Sequence, residues 1–94
     1  MFTGIVEEKG TIRYIQLTGE SGVLAVKAKK VLEGTKIGDS IAVNGICLTV
    51  TSLQSDGFTA DVMAETIRRS SLGSSRAGSK VNLERAIAAD GRFG

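Results

Sequence analysis

Apolar residues recur at every second position along most of this chain, in short runs broken by turns rich in glycine, serine and aspartate. An extended start, Met1 to Val6, has Phe2, Ile5 and Val6 as its apolar members. Gly10 then opens Thr11 to Leu17, where Ile12 and Tyr14 alternate with Arg13 and Ile15. Period-two alternation is the pattern of a strand with one face on a core. Gly19-Glu20-Ser21-Gly22 reads as a turn, so this run and Gly22 to Ala28 predict a hairpin, with Val23 to Val26 mostly buried. Lys29 to Glu33 suits one helical turn stopped by Gly34, and Lys36-Ile37-Gly38-Asp39 a tight turn.

Ser40 to Leu53 is the most apolar stretch. Its Asn44-Gly45 is a type I′ hairpin signal. The arm before it, Ser40 to Val43, is short, so a bulge or bend in one long strand accounts for the same pattern, and the bend is the preferred reading. Past it, Ile46, Leu48 and Val50 share one face and Cys47, Thr49 and Thr51 the other. Ser55-Asp56-Gly57 turns the chain, and Phe58, Ala60 and Val62 alternate with Thr59, Asp61 and Met63. Glu65 to Leu72 predicts a short helix ended by Gly73. Ser74 to Gly78 is a loop, Ser79 to Ala86 a last strand with Val81 and Leu83 against Asn82 and Glu84, and Ile87 to Gly94 a tail. The sum is a mainly β fold, a small six-stranded antiparallel barrel with one or two short helices.

Composition narrows the chemistry. A chain of 94 residues is one domain, and 41% hydrophobic residues with a mean hydropathy of +0.09 is globular. A net charge of +2 is too weak to argue for nucleic acid or an anionic membrane. The chain has no His and one Cys, which removes His-based triads, an internal disulfide and a structural zinc site. With no secretory leader and no membrane-length apolar run, the cytoplasm is the expected location.

Three stretches stand out as binding surfaces, each with a plainer explanation. Cys47, Thr49 and Thr51 place small polar groups along one strand face, which suits a pocket for hydroxyls or an ordinary solvent-facing strand. Asp61 to Thr66 falls where a hairpin ends and a helix begins, so Asp61, Glu65 and Thr66 suit either a ligand or helix capping. Thr3-Gly4-Ile5-Val6 holds a glycine that permits close approach or marks a bulge. Arg68-Arg69 and Lys27, Lys29 and Lys30 read as solvated surface. Nucleic-acid binding by such barrels uses aromatic platforms, and Phe2, Tyr14, Phe58 and Phe93 do not form one.

Taken together, Met1 to Glu8, Gly38 to Val50 (reading GDSIAVNGICLTV), Asp61 to Thr66 (DVMAET) and Gly78 to Ala86 (GSKVNLERA) resemble the riboflavin synthase family, in order and across the chain. The resemblance implies two tandem Greek-key barrels per full chain, each binding one 6,7-dimethyl-8-ribityllumazine. It implies transfer of a four-carbon unit between two lumazines to give riboflavin and a pyrimidinedione, without metal or separate cofactor. It also implies a homotrimer with active sites between barrels of neighbouring subunits. The present sequence corresponds to the first barrel, over 1–90, with 91–94 as the start of a linker to a second. On this resemblance the ligand-binding positions are Gly4, Ile5, Val6, Cys47, Leu48, Thr49, Asp61, Val62, Met63, Ala64, Glu65 and Thr66, with Ser40 and Cys47 as catalytic candidates. Ile5, Val6 and Leu48 are expected to cover the ring face. The isolated barrel is expected to bind ligand, turn over little or nothing, and form a homodimer in which a second copy replaces the missing barrel. The alternative is a non-catalytic lumazine- or flavin-binding module.

Overall fold

The computed structural model describes residues 2–86, so the expected tail at 87–94 lies outside the described residues. Six strands, β1 (Glu8–Thr18), β2 (Ser21–Lys27), β3 (Ser40–Val43), β4 (Ile46–Gln54), β5 (Gly57–Met63) and β6 (Lys80–Arg85), close into an antiparallel barrel in the order β1-β2-β5-β4-β3-β6. The hairpin-connected run β3-β4-β5 with β2 returning beside β5 is a Greek key. One α-helix, α1 (Ala64–Arg69), follows β5, and short 3-10 helices cover Lys30–Leu32 and Ser71–Ser74. No helix among the described residues is long and apolar enough to cross a membrane.

The core forms where alternation sends apolar side chains inward. Ile12, Leu24, Val26, Ile41, Val43, Val50, Phe58, Ala60, Val81 and Leu83 are essentially inaccessible to solvent, and Leu48 and Val62 join them. The alternation expected along β1 breaks at a bulge between Ile12 and Tyr14. A bulge inserts one unpaired residue and bends the strand. This bend lets one long strand pair with β6 through Glu8 to Thr11 and with β2 through Thr11 to Thr18. It also reverses the expected faces: Ile15 packs on the core, and Tyr14 turns outward, 45% exposed. Gly10 does not open the strand but lies buried within it, where a Cβ would meet Leu83 Cδ1 at 2.6 Å and Val26 Cγ1 at 2.8 Å.

The bend preferred at Asn44-Gly45 is corrected to a hairpin. Both residues have positive φ, 50° and 82°, the backbone a tight two-residue turn requires. The short arm Ser40–Val43 suffices because β3 is flanked on both sides, by β4 and by β6. The Asn44 side chain adds a tie, accepting from the Asn82 N–H at 2.7 Å. The expected helix Glu65 to Leu72 breaks at Ser70, which leaves helical geometry and whose hydroxyl accepts from the Leu72 N–H. Gly73 therefore lies inside the following 3-10 helix rather than ending α1.

Carboxylates fasten the start of the chain. Glu8 accepts from the N–H groups of Lys29 and Val31 at 2.8 and 3.0 Å, capping the first 3-10 helix from a neighbouring strand. Glu7 accepts from the Arg85 main-chain N–H at 2.8 Å and pairs with its guanidinium at 2.8 Å. The Arg85 hydrogen bonds, against an opposing effect of burial, hold the Glu7 carboxyl below its ordinary value of 4.5. A depressed carboxyl contributes stability that is fully present above the unfolded value and lost as pH falls through the folded one. Thermal midpoints measured between about pH 6 and 3 are therefore expected to fall, and Glu7→Gln to lower the neutral-pH midpoint and shallow that fall. An unchanged acid limb in the variant would refute this assignment.

Candidate functional site

Two of the stretches singled out in the sequence lie side by side on the outer surface of β4 and β5, and the third, Thr3 to Val6, is tied to β6 on the other side of β3. Strand register makes the case. Ala42 on β3 lies between Glu84 of β6 and Cys47 of β4, and Ser40 lies opposite Thr49. Thr49 in turn lies opposite Asp61 of β5, and Asp61 opposite Val23 of β2. Directly opposed residues share a face, so Glu84, Ala42 and Cys47 form one outward row and Ser40, Thr49 and Asp61 the next. Met63, two positions beyond Asp61, points the same way, 55% exposed, and leads into Ala64, Glu65 and Thr66 of α1.

The N-terminal segment closes the other side. Thr3 and Gly4 donate their main-chain N–H groups to the Glu84 carboxylate. Ala42, beside Glu84 on the outward row, is only 4% exposed. Ile5 and Val6 follow at 69% and 48% exposure as an apolar rim. The result is a shallow niche with an apolar rim on one flank, the start of α1 on the other, and small polar side chains across its floor.

Leu48, Val62 and Ala64, named with the rest, turn their side chains away from this niche. They are 5%, 4% and 1% exposed, and Leu48 and Val62 belong to the barrel core. The expectation that Leu48 covers a ring face is corrected accordingly: on a strand whose neighbours Cys47 and Thr49 face outward, Leu48 faces inward. Only the main chain of these positions meets the outer surface. Ser40 and Cys47 are diagonal neighbours across β3 and β4, a separation of roughly 7–8 Å. That is too far for a direct hydrogen bond and spans a ligand group between them. Thr51 lies beside a bulge between Val50 and Ser52 and bonds the Thr59 hydroxyl at 2.8 Å, away from the niche floor. Of the capping alternative for Asp61, Glu65 and Thr66, the hydrogen-bonded cap is absent, since the N-cap position is Met63 and no side chain caps α1, while Glu65 does stand in the first turn, where a negative charge is favoured. Glu65 pairs with Arg69 at 3.0 Å, with both side chains well exposed, which contributes little to stability.

Main-chain groups supply the most specific feature. The Val50 N–H donates to Asp39 and its carbonyl accepts from Gly38, at 2.8 and 2.9 Å, so Val50 turns toward β3. Alternation turns Thr49 and Cys47 toward β5. The Ala64 N–H donates to the Glu20 carbonyl at 2.9 Å, on the β2 side. Alternation then turns Met63 and Asp61 toward β4. The β4–β5 ladder ends at Thr49 opposite Asp61. One step beyond, Cys47 and Met63 aim donors and acceptors into the mouth between the strand ends.

A depression of about 430 Å³ lined by Met63, Glu65, Thr66, Arg69 and Ser70 adjoins this mouth. A larger one of about 670 Å³, lined by Lys29, Lys30, Leu32, Glu33, Gln54 and Ser55, lies at the other end of β4. From Cys47 to Gln54 the strand runs roughly 23 Å at its usual rise, so the two are separate. The larger depression is lined by none of the residues singled out as a binding surface in the sequence, and size alone does not make it the site. Among the described residues no cluster of His, Cys, Asp and Glu could hold a metal ion. On an alternating strand a glutamate beside Leu83 reads as solvent-facing, so the burial of Glu84 leaves no signal in the local sequence pattern.

A family model described as lumazine binding domain matches residues 3–86. Over 94 residues the chain is 60% identical to the riboflavin synthase of Actinobacillus pleuropneumoniae and 57% identical to that of Bacillus subtilis (strain 168), covering 100% of this chain and 44% of each relative. The crystal structure of LumP complexed with 6,7-dimethyl-8-(1'-D-ribityl) lumazine matches it with a TM-score of 0.82 at 29% identity, over 100% of this chain and 52% of that one. The chain thus spans less than half the length of the curated relatives it matches.

Proposed function

The chain belongs to the lumazine-binding domain family, and from that premise we propose that its outer niche binds one molecule of 6,7-dimethyl-8-ribityllumazine or riboflavin. The observation that carries this reading is the open mouth at Cys47 and Met63. A pyrimidinedione edge presents acceptor, donor, acceptor in one plane. Main-chain N–H and C=O groups at the ends of two strands match that sequence without charged side chains. The ribityl hydroxyls then fall to Thr49, Asp61, Glu65 and Thr66, and the Ile5–Val6 rim covers a ring face. A buried polar atom left unpaired costs about 1–3 kcal/mol, so analogues lacking a ring carbonyl bind worse.

On this reading the chain is the N-terminal half of a riboflavin synthase, a transferase acting in the cytoplasm that forms a homotrimer when both barrels are present. The relatives' names and their 57–60% identity support this over a purely ligand-carrying module, for which the LumP likeness at 29% speaks less strongly. The transfer takes place between two lumazines, with no metal or separate cofactor. Holding two reactants in contact is worth about 7–11 kcal/mol of barrier, and one barrel holds one reactant. The isolated chain is therefore a binder with little or no turnover. Its exposed apolar side chains on the two flanks of the niche, Ile5 and Val6 on one and Met63 on the other, pair with a second copy to give a homodimer.

Titrating riboflavin into the chain while following flavin fluorescence tests the reading directly. Saturable quenching at one ligand per chain, with a sedimentation coefficient matching a dimer, is the expected result. A folded chain that leaves the fluorescence unchanged would refute the ligand assignment.

A further inference from the structure

Glu84 is the buried charged side chain among the described residues, at 9% exposure. Its Oε2 accepts from the Thr3 N–H and, at 2.9 Å, from the Thr3 hydroxyl. The Gly4 N–H lies 3.1 Å from Oε2 and 3.2 Å from Oε1. The Thr3 hydroxyl oxygen in turn accepts from the Ile5 N–H at 3.2 Å. Successive N–H groups thus curl around one carboxylate, with Gly4 at a φ of 83°, the geometry by which backbone concavities hold anions. The anion here is the protein's own. The next main-chain anchor is the Glu7 N–H, bonded to the Leu83 carbonyl at 2.8 Å. Ile5 and Val6 are slung between these two ties to β6.

We propose that Glu84 is a positioning residue for the niche, fixing the Gly4–Ile5–Val6 rim at the end of its own row with Ala42 and Cys47 so that a bound ring meets an ordered edge. The proposal rests on the ligand reading above. A chain terminus outside any ladder is poorly ordered unless tied down, and a ligand that must order the rim itself binds more weakly. Burial alone would raise the Glu84 carboxyl, but the donors of Thr3 and Gly4 outweigh it and hold the group below its ordinary value, so it is ionised at neutral pH. Glutamine fits the same space but sets an NH₂ donor against the Gly4 N–H.

The test combines riboflavin titration with amide hydrogen exchange on the full chain. Glu84→Ala is expected to weaken riboflavin on the order of tenfold. The Thr3, Gly4 and Ile5 amides lose protection in it, while those of the β4–β5 ladder keep theirs. Glu84→Gln is expected to recover part of both effects. Wild-type affinity in Glu84→Ala overturns the proposal, as does a loss of protection shared equally by the ladder. If the unmutated chain fails to quench riboflavin while the Thr3 and Gly4 amides are released in the variant alone, the ligand reading falls and the grip is supported.

Discussion

Phe58→Ala is expected to remove about 3–5 kcal/mol of folding stability, the usual cost of truncating a fully buried phenylalanine. Phe58 is 1% exposed and is the largest of the fully buried side chains. It lies opposite Val26 of β2 and Leu53 of β4, so its ring spans the seam where three strands meet. A domain of 94 residues has in all about 5–14 kcal/mol to lose, at roughly 0.05–0.15 kcal/mol per residue. Each kcal/mol moves the melting temperature of a domain this size by about 4–8 °C. Circular dichroism should therefore record a fall of at least about 12 °C, with riboflavin binding lost wherever the variant is unfolded. Tyr14→Ala provides the contrast, because the bulge in β1 leaves that ring at the surface. A drop of a few degrees for Phe58→Ala, or an equal drop for both variants, would mean that the core is not organised around this seam.

The same two aromatics mark what was legible in the sequence and what was not. Around Phe58 the alternation is regular along β5, and β4 keeps the faces that period two dictates from Ile46 to Val50, until the bulge before Ser52 takes Thr51 out of the row. Around Tyr14 it misleads, since a bulge exchanges inside and outside and leaves no mark in residue type. The Asn44-Gly45 signal was present, but the shortness of Ser40–Val43 counted against a hairpin. A strand of four residues is enough when it has a partner on each side, and the partner β6 comes from about 40 residues further along. Barrel closure supplies that information, and no local window contains it.

The site followed a similar division. In the sequence Gly4 to Val6, Cys47 to Thr49 and Asp61 to Thr66 are three separate stretches; the register of β4 and β5 sets the last two side by side, and the Glu84 carboxylate ties the first to β6. Which atoms face that surface depends on pleat and on where ladders end. Leu48 and Val62 contribute only main chain there, and the unpaired ends at Cys47 and Met63 carry the hydrogen-bonding pattern. Glu84 was hidden for a different reason. Its partners, Thr3 and Gly4, lie at the opposite end of the chain, so its burial arises only once the N-terminal segment crosses β6.

Thr49→Trp is expected to weaken riboflavin binding on the order of a hundredfold or more, about 2.7 kcal/mol, with little change in thermal stability. Thr49 is an exposed outward residue between Ser40 and Asp61, at the centre of the niche floor. An indole there fills the space a bicyclic ring requires, and β-propensity favours tryptophan on a strand surface. The matched control is Gln54→Trp, on the same strand beside the larger depression of Lys29, Lys30 and Ser55. It places the same ring on the same β4 surface and is expected to leave the affinity within about twofold, since distant sites act independently. Fluorescence titration of both variants separates the two depressions. Loss of binding in Gln54→Trp with retention in Thr49→Trp would move the ligand to the far end of the barrel. It would also remove the role assigned to the open main-chain groups at Cys47 and Met63, because a ring held roughly 23 Å away along β4 cannot reach them.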